Sequence, residues 1–326
     1  MIAAMRAQGD GNVKWVVSGS QARARDFAET HDIEASTTDI DAMLSDPTVE
    51  SVYISSTNEK HYDQACRAIA AGKKVLCEKP LAMSLDDAVD MVARANKAGT
   101  LFATNHHLRN AGSHLAIREL IASGRIGVVQ SVRVFHAVPL PEKLQAWRVN
   151  NPGAGGGVVL DIVVHDADTV RFHLDEDPVE VVALTRSAGL GEGVEDSVMS
   201  AWSMESGAQI QVHASFTHKY AETGIQIYGT EGSIRGRGIM TQRPVGTVEL
   251  VTEAGTEAID YSTHDLYTRA VSLFESAARG EGVPAATGID GVKSLAVALA
   301  VLQAADQGNR VSVDYYGGQD RSPQRV

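Results

Sequence analysis

Three residues in this chain have the type and setting for acid–base chemistry at a carbonyl. Lys79 stands in VLCEKPLAM, residues 75–83, where Val-Leu-Cys reads as a buried strand and Pro80 blocks its regular continuation. An ammonium group at a strand exit can polarise a carbonyl oxygen and help supply a proton. Glu78, its neighbour, can orient that ammonium or a carboxamide. The Lys79–Pro80 peptide can be trans or cis on sequence grounds. Asp161 and His165 lie in GAGGGVVLDIVVHDAD, residues 153–168, spaced i, i+4, so on a helix they share a face. A carboxylate can hold an imidazole in one tautomer, and that imidazole can pass protons near neutral pH. The glycines before them permit close backbone approach to a ring or sugar. Each feature taken singly has a plainer reading: a chance tripeptide for EKP, a capped helix with a core-edge histidine for the other.

The elements that must position these groups alternate in the first half. VKWVVSGS (13–20), VESVYISST (49–57), KKVLCEKP and TLFATNHH read as strands. Between them ARARDFAETHD, TDIDAMLSDP, HYDQACRAIAAGK and SLDDAVDMVARANKAG read as helices, the last with a Ser84 cap, acids in its first turn and Gly99 after its end. This alternation predicts a doubly wound parallel sheet, a Rossmann-like nucleotide-binding domain over 1–105. Its strands end at the edge that faces the ligand crevice. From about residue 125 strands dominate with few helices between them, and many alternate apolar and polar. Residues 106–314 therefore read as an α+β domain with a mostly antiparallel open sheet, finished by helices at 265–279 and 289–307. Residues 315–326 read as a loose tail.

Composition narrows the function. The chain has 326 residues, 44% of them apolar, and a net charge of −12. An acidic surface repels phosphate backbones, so no nucleic-acid partner is expected. Two cysteines, Cys66 and Cys77, without a C-x-x-C, suit a reducing cytoplasm. The N-terminus lacks the apolar core of a signal peptide, and SLAVALAVLQAA is too short to cross a bilayer, so no membrane partner is expected. His106 and His107 adjoin, but neighbours on a strand point to opposite faces, and no H-E-x-x-H or paired-cysteine spacing occurs. No metal site is expected, and no G-x-S-x-G elbow supports a hydrolase.

G-x-G-x-x-G is absent from the usual place. The chain opens on IAAMRAQGDGN, which resembles the last turns of a helix with a glycine stop. The expectation is that the first strand of the fold and its glycine turn are missing, through an incomplete start or through loss of normal pyrophosphate binding. VKWVVSGS ends where a dinucleotide fold meets the adenosine ribose. It offers Ser18 and Ser20, with Arg23 and Arg25 after them, rather than an acid. Hydroxyls and guanidinium groups suit a 2′-phosphate, which favours NADPH over NADH; the plainer reading is a serine-rich turn. SSTNEKH, 55–61, closes the next strand and brings Thr57, Asn58 and His61 to the same edge.

CEKPLAM together with GGGVVLDIVVHDADTVRF resembles the Gfo/Idh/MocA family of nicotinamide-dependent sugar and polyol oxidoreductases. TNHHLRNAGSH, RVFHAVPLPEKLQAWR and YGTEGSIRGRGIMTQRPVGTV extend the likeness to about residue 314. The resemblance implies a catalytic lysine at Lys79 and an aspartate–histidine pair at Asp161 and His165, with His165 the proton donor oriented by Asp161. It implies that Ser18 and Arg23 hold the 2′-phosphate of NADPH. It implies cofactor-lining roles for Ser56, Thr57, Asn58, His61, Glu78, Asn105, Trp147, Arg148 and Tyr267. The implied activity is reduction of a keto-sugar carbonyl, and the implied partners are a small sugar and, through the open sheet, a second copy of the chain. A related sugar or inositol dehydrogenase, or a sugar-binding protein with a defective cofactor site, is the alternative.

Overall fold

The computed structural model describes residues 1–9, 12–187 and 189–317. Helix α1 (Ile2–Arg6) precedes four βα units and a fifth strand: β1 (Trp15–Val17), α2 (Gln21–Thr30), β2 (Ala35–Thr37), α3 (Ile40–Leu44), β3 (Ser51–Ile54), α4 (His61–Ala70), β4 (Lys74–Cys77), α5 (Leu85–Ala98) and β5 (Phe102–Thr104). Local sequence dictates the helix ends. The Ser84 hydroxyl accepts from the Asp87 amide, Asp86 and Asp87 face the positive end of α5, and Gly99 takes the left-handed φ of 63° that stops it.

All strand pairs here are parallel, as expected, but they form two sets, β1–β2 and β3–β4–β5, with no ladder between them among the described residues. The interruption falls where the central strand lies in the 3-2-1-4-5-6 order. Register in the larger set prepares the site. Ile54 pairs with Cys77 and Cys77 with Thr104. The Glu78 amide then donates to the Ile54 carbonyl at 2.9 Å, and the Asn105 amide to the Cys77 carbonyl at 2.7 Å. Three chain segments therefore leave the sheet side by side at its carboxyl edge.

The second half adds α6 (Gly112–Ala122), β6 (Val129–Ala137), α7 (Glu142–Asn150) and α8 (Val164–Leu174) before the strand run β7 (Pro178–Arg186), β8 (Ser197–Met204), β9 (Gln209–Ser215), β10 (Gly224–Gly229), β11 (Ser233–Arg237), β12 (Thr247–Thr252) and β13 (Gly255–Ala258). Helices α9 (Leu266–Ala278) and α10 (Gly288–Gln307) and the short β14 (Val311–Ser312) follow. Nine strands make one sheet in the order β13-β12-β11-β10-β6-β9-β8-β7-β14. Only β6 and β9 run parallel; every other pair is antiparallel. Alternation gives the sheet a covered face, where Val132, Val134, Val198, Trp202, Ile210 and Val212 are buried, and an outer one.

Helix α10 has 20 residues, long and apolar enough by composition to cross a bilayer, and so exceeds the stretch read from sequence. It packs against α5, α8 and β7 and is a core helix. The tail expectation needs correction at its start. Tyr315 packs on the core and its hydroxyl donates to the Pro178 carbonyl at 2.6 Å, so ordered chain runs past 314. The rest of the expected tail, 318–326, lies outside the described residues.

Candidate active site

Lys79 leaves β4 across a cis peptide to Pro80. Its Nζ donates to the Asp161 main-chain oxygen at 2.8 Å and to Asp161 Oδ1 at 2.9 Å. The main-chain contact has a local cause. Residues Val159–Val163 form a π-helical turn leading into α8, and such a turn loosens the regular hydrogen-bond ladder. Lys79 has three N–H donors, and Asp161 occupies two of them.

The expected partnership of Asp161 with His165 is not what the structure shows. Asp161 Oδ2 faces Arg148 Nε at 3.5 Å, so both carboxylate oxygens meet cations, and no hydrogen bond joins Asp161 to His165 among the described residues. Two positive charges outcompete one neutral imidazole for a carboxylate largely withdrawn from water. Burial works to raise the Asp161 pKa, but the Lys79 and Arg148 charges outweigh it and hold the group below its ordinary value. His165 is nevertheless a neighbour of Lys79. Burial first, and then the Lys79 charge, press its proton affinity well below that of a free imidazole. Geometry agrees: Lys79 is bonded to Asp161, four residues before His165, and rings pack around His165, with His107 edge-on at 4.7 Å between centroids, His106 at 6.4 Å and His136 at 6.5 Å. The reading that His106 and His107 face opposite sides also fails. β5 ends at Thr104, so strand alternation no longer applies to them.

Glu78 and Asn105 meet at the same edge. Glu78 Oε1 accepts from Asn105 Nδ2 at 2.7 Å and from the Tyr53 hydroxyl at 2.5 Å. Asn105 Oδ1 is buried with no partner among the described residues. Tyr267, near the start of α9, stacks on His107 at 5.7 Å. Trp147 carries the Arg148 guanidinium on its ring at 4.6 Å, and the strap they belong to is distorted at Ala146, with φ 26° and ψ −127°.

Several predicted residues turn inward. His61 is fully buried, with Nδ1 2.8 Å from the Pro80 carbonyl and Nε2 3.2 Å from that of Ser56; it joins two loops and presents no face to the crevice. Asn58 Nδ2 donates to the Gly155 carbonyl at 3.1 Å. The Ser56 hydroxyl bonds to Gln64, and that of Thr57 to Glu59. The glycines also serve the chain itself rather than a ligand. A Cβ on Gly155, at φ +83°, would sit 2.6 Å from Asn58 Nδ2, and one on Gly157, at φ +112°, would run into the Glu195 carboxylate. Ser18 follows the end of β1 and Arg23 lies in the first turn of α2, which Ser20 caps by accepting from the Arg23 amide. No contact joins them to the Lys79 cluster among the described residues.

Sequence reasoning missed His107, Tyr53 and the His136–Asp166 pair. One signal was legible: in VRVFHAV the buried positions 132, 134 and 136 put a histidine where alternation asks for an apolar residue. It also missed Arg109, whose guanidinium clasps both Asp168 oxygens and reaches Asp290 at 2.9 Å, tying the turn after β5 to α8 and α10.

A parallel strand edge with a lysine, an imidazole and an amide oxygen that is unpaired among the described residues, backed by a large antiparallel sheet, defines the class: a two-domain oxidoreductase built on a dinucleotide fold. Residues 1–106 match the oxidoreductase family described as having an NAD-binding Rossmann fold, and residues 114–235 match the GFO/IDH/MocA C-terminal domain. The chain is 51% identical to the 1,5-anhydro-D-fructose reductase of Ensifer adhaerens over 315 residues, covering 96% of this chain and 94% of that one. It superposes on aldose-aldose oxidoreductase from Caulobacter crescentus, complexed with glycerol, with a TM-score of 0.86, 23% identity and coverage of 96% and 95%. Levoglucosan dehydrogenase in complex with NADH and levoglucosan gives a TM-score of 0.84 at 22% identity, with coverage of 96% and 94%. The chain belongs to the Gfo/Idh/MocA family of oxidoreductases.

The site's residues fit a nicotinamide group. Asn105 Oδ1 is an unsatisfied buried acceptor at a strand end, and a carboxamide N–H is the donor it lacks. Glu78 holds the other end of that amide, so Oδ1 is turned away from it.

Proposed function

We propose that this protein reduces the carbonyl of a keto-sugar, 1,5-anhydro-D-fructose to 1,5-anhydro-D-mannitol, with NADPH. The bond that holds Lys79 against Asp161, four residues before His165 on the same helical run, carries the reading, and the likeness to the Ensifer reductase supports the choice of sugar. A bound nicotinamide dinucleotide supplies the hydride. The third N–H of Lys79, left over after Asp161 has taken two, donates to the substrate oxygen and stabilises the negative charge that forms there. In the free enzyme burial and Lys79 keep His165 neutral at pH 7. A negative oxygen beside the ring favours its protonated form, so the ring takes up a proton from solvent as charge develops and delivers it to that oxygen, which becomes the product hydroxyl. Asp161 keeps the ammonium aimed, and Arg148 keeps Asp161 ionised. Asn105, braced by Glu78 and Tyr53, holds the carboxamide.

The preference for NADPH rests on Ser18, just after β1, and Arg23, in the first turn of α2. Arg23→Ala is expected to raise KM for NADPH by about 10- to 100-fold, the worth of one charge-assisted bond, while KM for NADH moves little. Equal change for both cofactors removes the assignment. The direct test is consumption of NADPH on addition of 1,5-anhydro-D-fructose; no consumption, with the fluorescence of bound NADPH demonstrating a loaded enzyme, ends the proposed activity.

We further infer association of two copies through the outer face of the nine-stranded sheet, in the cytoplasm. Register sets Leu184, 77% exposed, beside Met199, 56% exposed, and Met199 beside His213, with Val182 on the same face. Light scattering is expected to give a dimer or larger for the wild type and a monomer for Leu184→Glu; a monomeric wild type excludes this association.

A further inference from the structure

A second imidazole–carboxylate pair lies beside His165 and has no part in the steps above. His136 sits on the covered face at the end of β6, in line with Val132 and Val134. Its Nδ1 lies 2.8 Å from Asp166 Oδ1, and Asp166 is fully buried. Burial is costly for both groups, and an apolar residue at 136 would complete the core more cheaply. The pair is built so that one ring nitrogen is committed. Burial raises the Asp166 pKa and the contact with His136 opposes that shift; in its ionised form the carboxylate only accepts, so Nδ1 carries the hydrogen and Nε2 is left as an acceptor. Among the described residues Nε2 makes no hydrogen bond. Asp166 directly follows His165 on α8, so one helix sets both: His165 on one side, and on the other the carboxylate that turns His136 back to within 6.5 Å of it. Two imidazoles at that separation reach neighbouring oxygens of one sugar ring, His165 the reacting oxygen and His136 the next.

We propose that His136, fixed by Asp166, accepts a hydrogen bond from the sugar hydroxyl next to the reacting carbonyl and so determines which ketoses are reduced. Building on the proposed reduction, this adds its specificity. A site made to receive a hydroxyl rejects an analogue lacking it, because the buried acceptor is then left without a partner.

The test pairs two substrates with three enzymes. The substrates are 1,5-anhydro-D-fructose and its analogue deoxygenated at the carbon beside the carbonyl. The enzymes are the wild type, His136→Phe and Asp166→Asn. The wild type is expected to prefer the hydroxylated substrate by about 100-fold in kcat/KM, and His136→Phe to treat the two alike within about 2-fold. Asp166→Asn, which keeps the shape of the pair, is expected to fall between them, with the loss chiefly in KM for the sugar. NADPH affinity in both variants, expected unchanged, reports an intact fold. Retention of the wild-type preference in His136→Phe, or in a folded Asp166→Asn if the former does not fold, overturns the assignment. A wild type that reduces neither sugar overturns it together with the proposed activity, whereas reduction of both with equal efficiency overturns the specificity role alone.

Discussion

Lys79→Ala is expected to lower kcat for the sugar on the order of 10³-fold, with affinity for the nicotinamide cofactor close to that of the wild type; loss of a single preorganised oxyanion donor costs about 10²- to 10³-fold. The effect should fall on kcat rather than KM, because the third N–H of Lys79 meets its strongest partner only when the oxygen becomes negative. Folding should suffer less. Asp161 is partly open to solvent, keeps Arg148 as a neighbour, and can take up a proton rather than remain an isolated buried charge. His165→Asn should slow turnover as well, and the double variant should lose far less than the product of the single losses, since the two groups act on one oxygen. A Lys79→Ala enzyme whose kcat stays within about tenfold of the wild type would falsify the role of the ammonium.

The second large effect is on stability. Burial lowers the proton affinity of His106 to a pKa of about 4, His107 to about 3 and His114 to about 4, and holds His165 and His173 well below the ordinary value. In the unfolded chain each would titrate near 6.5, so below that pH the unfolded state binds more protons than the folded one. The stability tied to these rings is therefore complete above pH 6.5 and is lost as pH falls through the window toward 4. Each ring contributes about 1.4 kcal/mol per pH unit within that window, so three together cost about 4 kcal/mol per unit, against a typical total of 5–15 kcal/mol. Unfolding midpoints in urea should decline steeply from pH 7 to pH 5. His114→Gln should flatten the decline, since it removes one titrating ring from the pair that stacks at 5.2 Å on His173. A midpoint that is constant from pH 7 to pH 5 contradicts the burial of these rings as neutral groups.

Much of the molecule was legible before folding because its signals are local. Strand and helix periods, the Ser84 cap and the Gly99 stop act within one or two turns of chain, and they mark the βα alternation and the sheet domain. The emergence of Glu78, Asn105 and Ser56 from neighbouring strand ends also follows from parallel order. Lys79, Asp161 and His165 were legible as residue types in suggestive settings.

Their partnerships were not, because they depend on which group is nearest in space. Spacing offered Asp161 to His165, but two cations closer in the fold took the carboxylate, and a π-helical turn gave Lys79 a main-chain oxygen besides. His61 and Asn58 look like ligand contacts in the sequence and are loop fasteners in the structure. Their own chain folds back over them, and a buried polar group must find whatever partner the packing supplies. His136 and Asp166, thirty residues apart, form a pair only because α8 crosses the end of β6. The sequence by itself determined which elements form and which residues carry chemistry, since those follow from short-range forces along the chain. Tertiary structure alone decided which charges pair, which rings stay neutral and which amide oxygen is left free, since those depend on burial and on distances between segments remote in sequence.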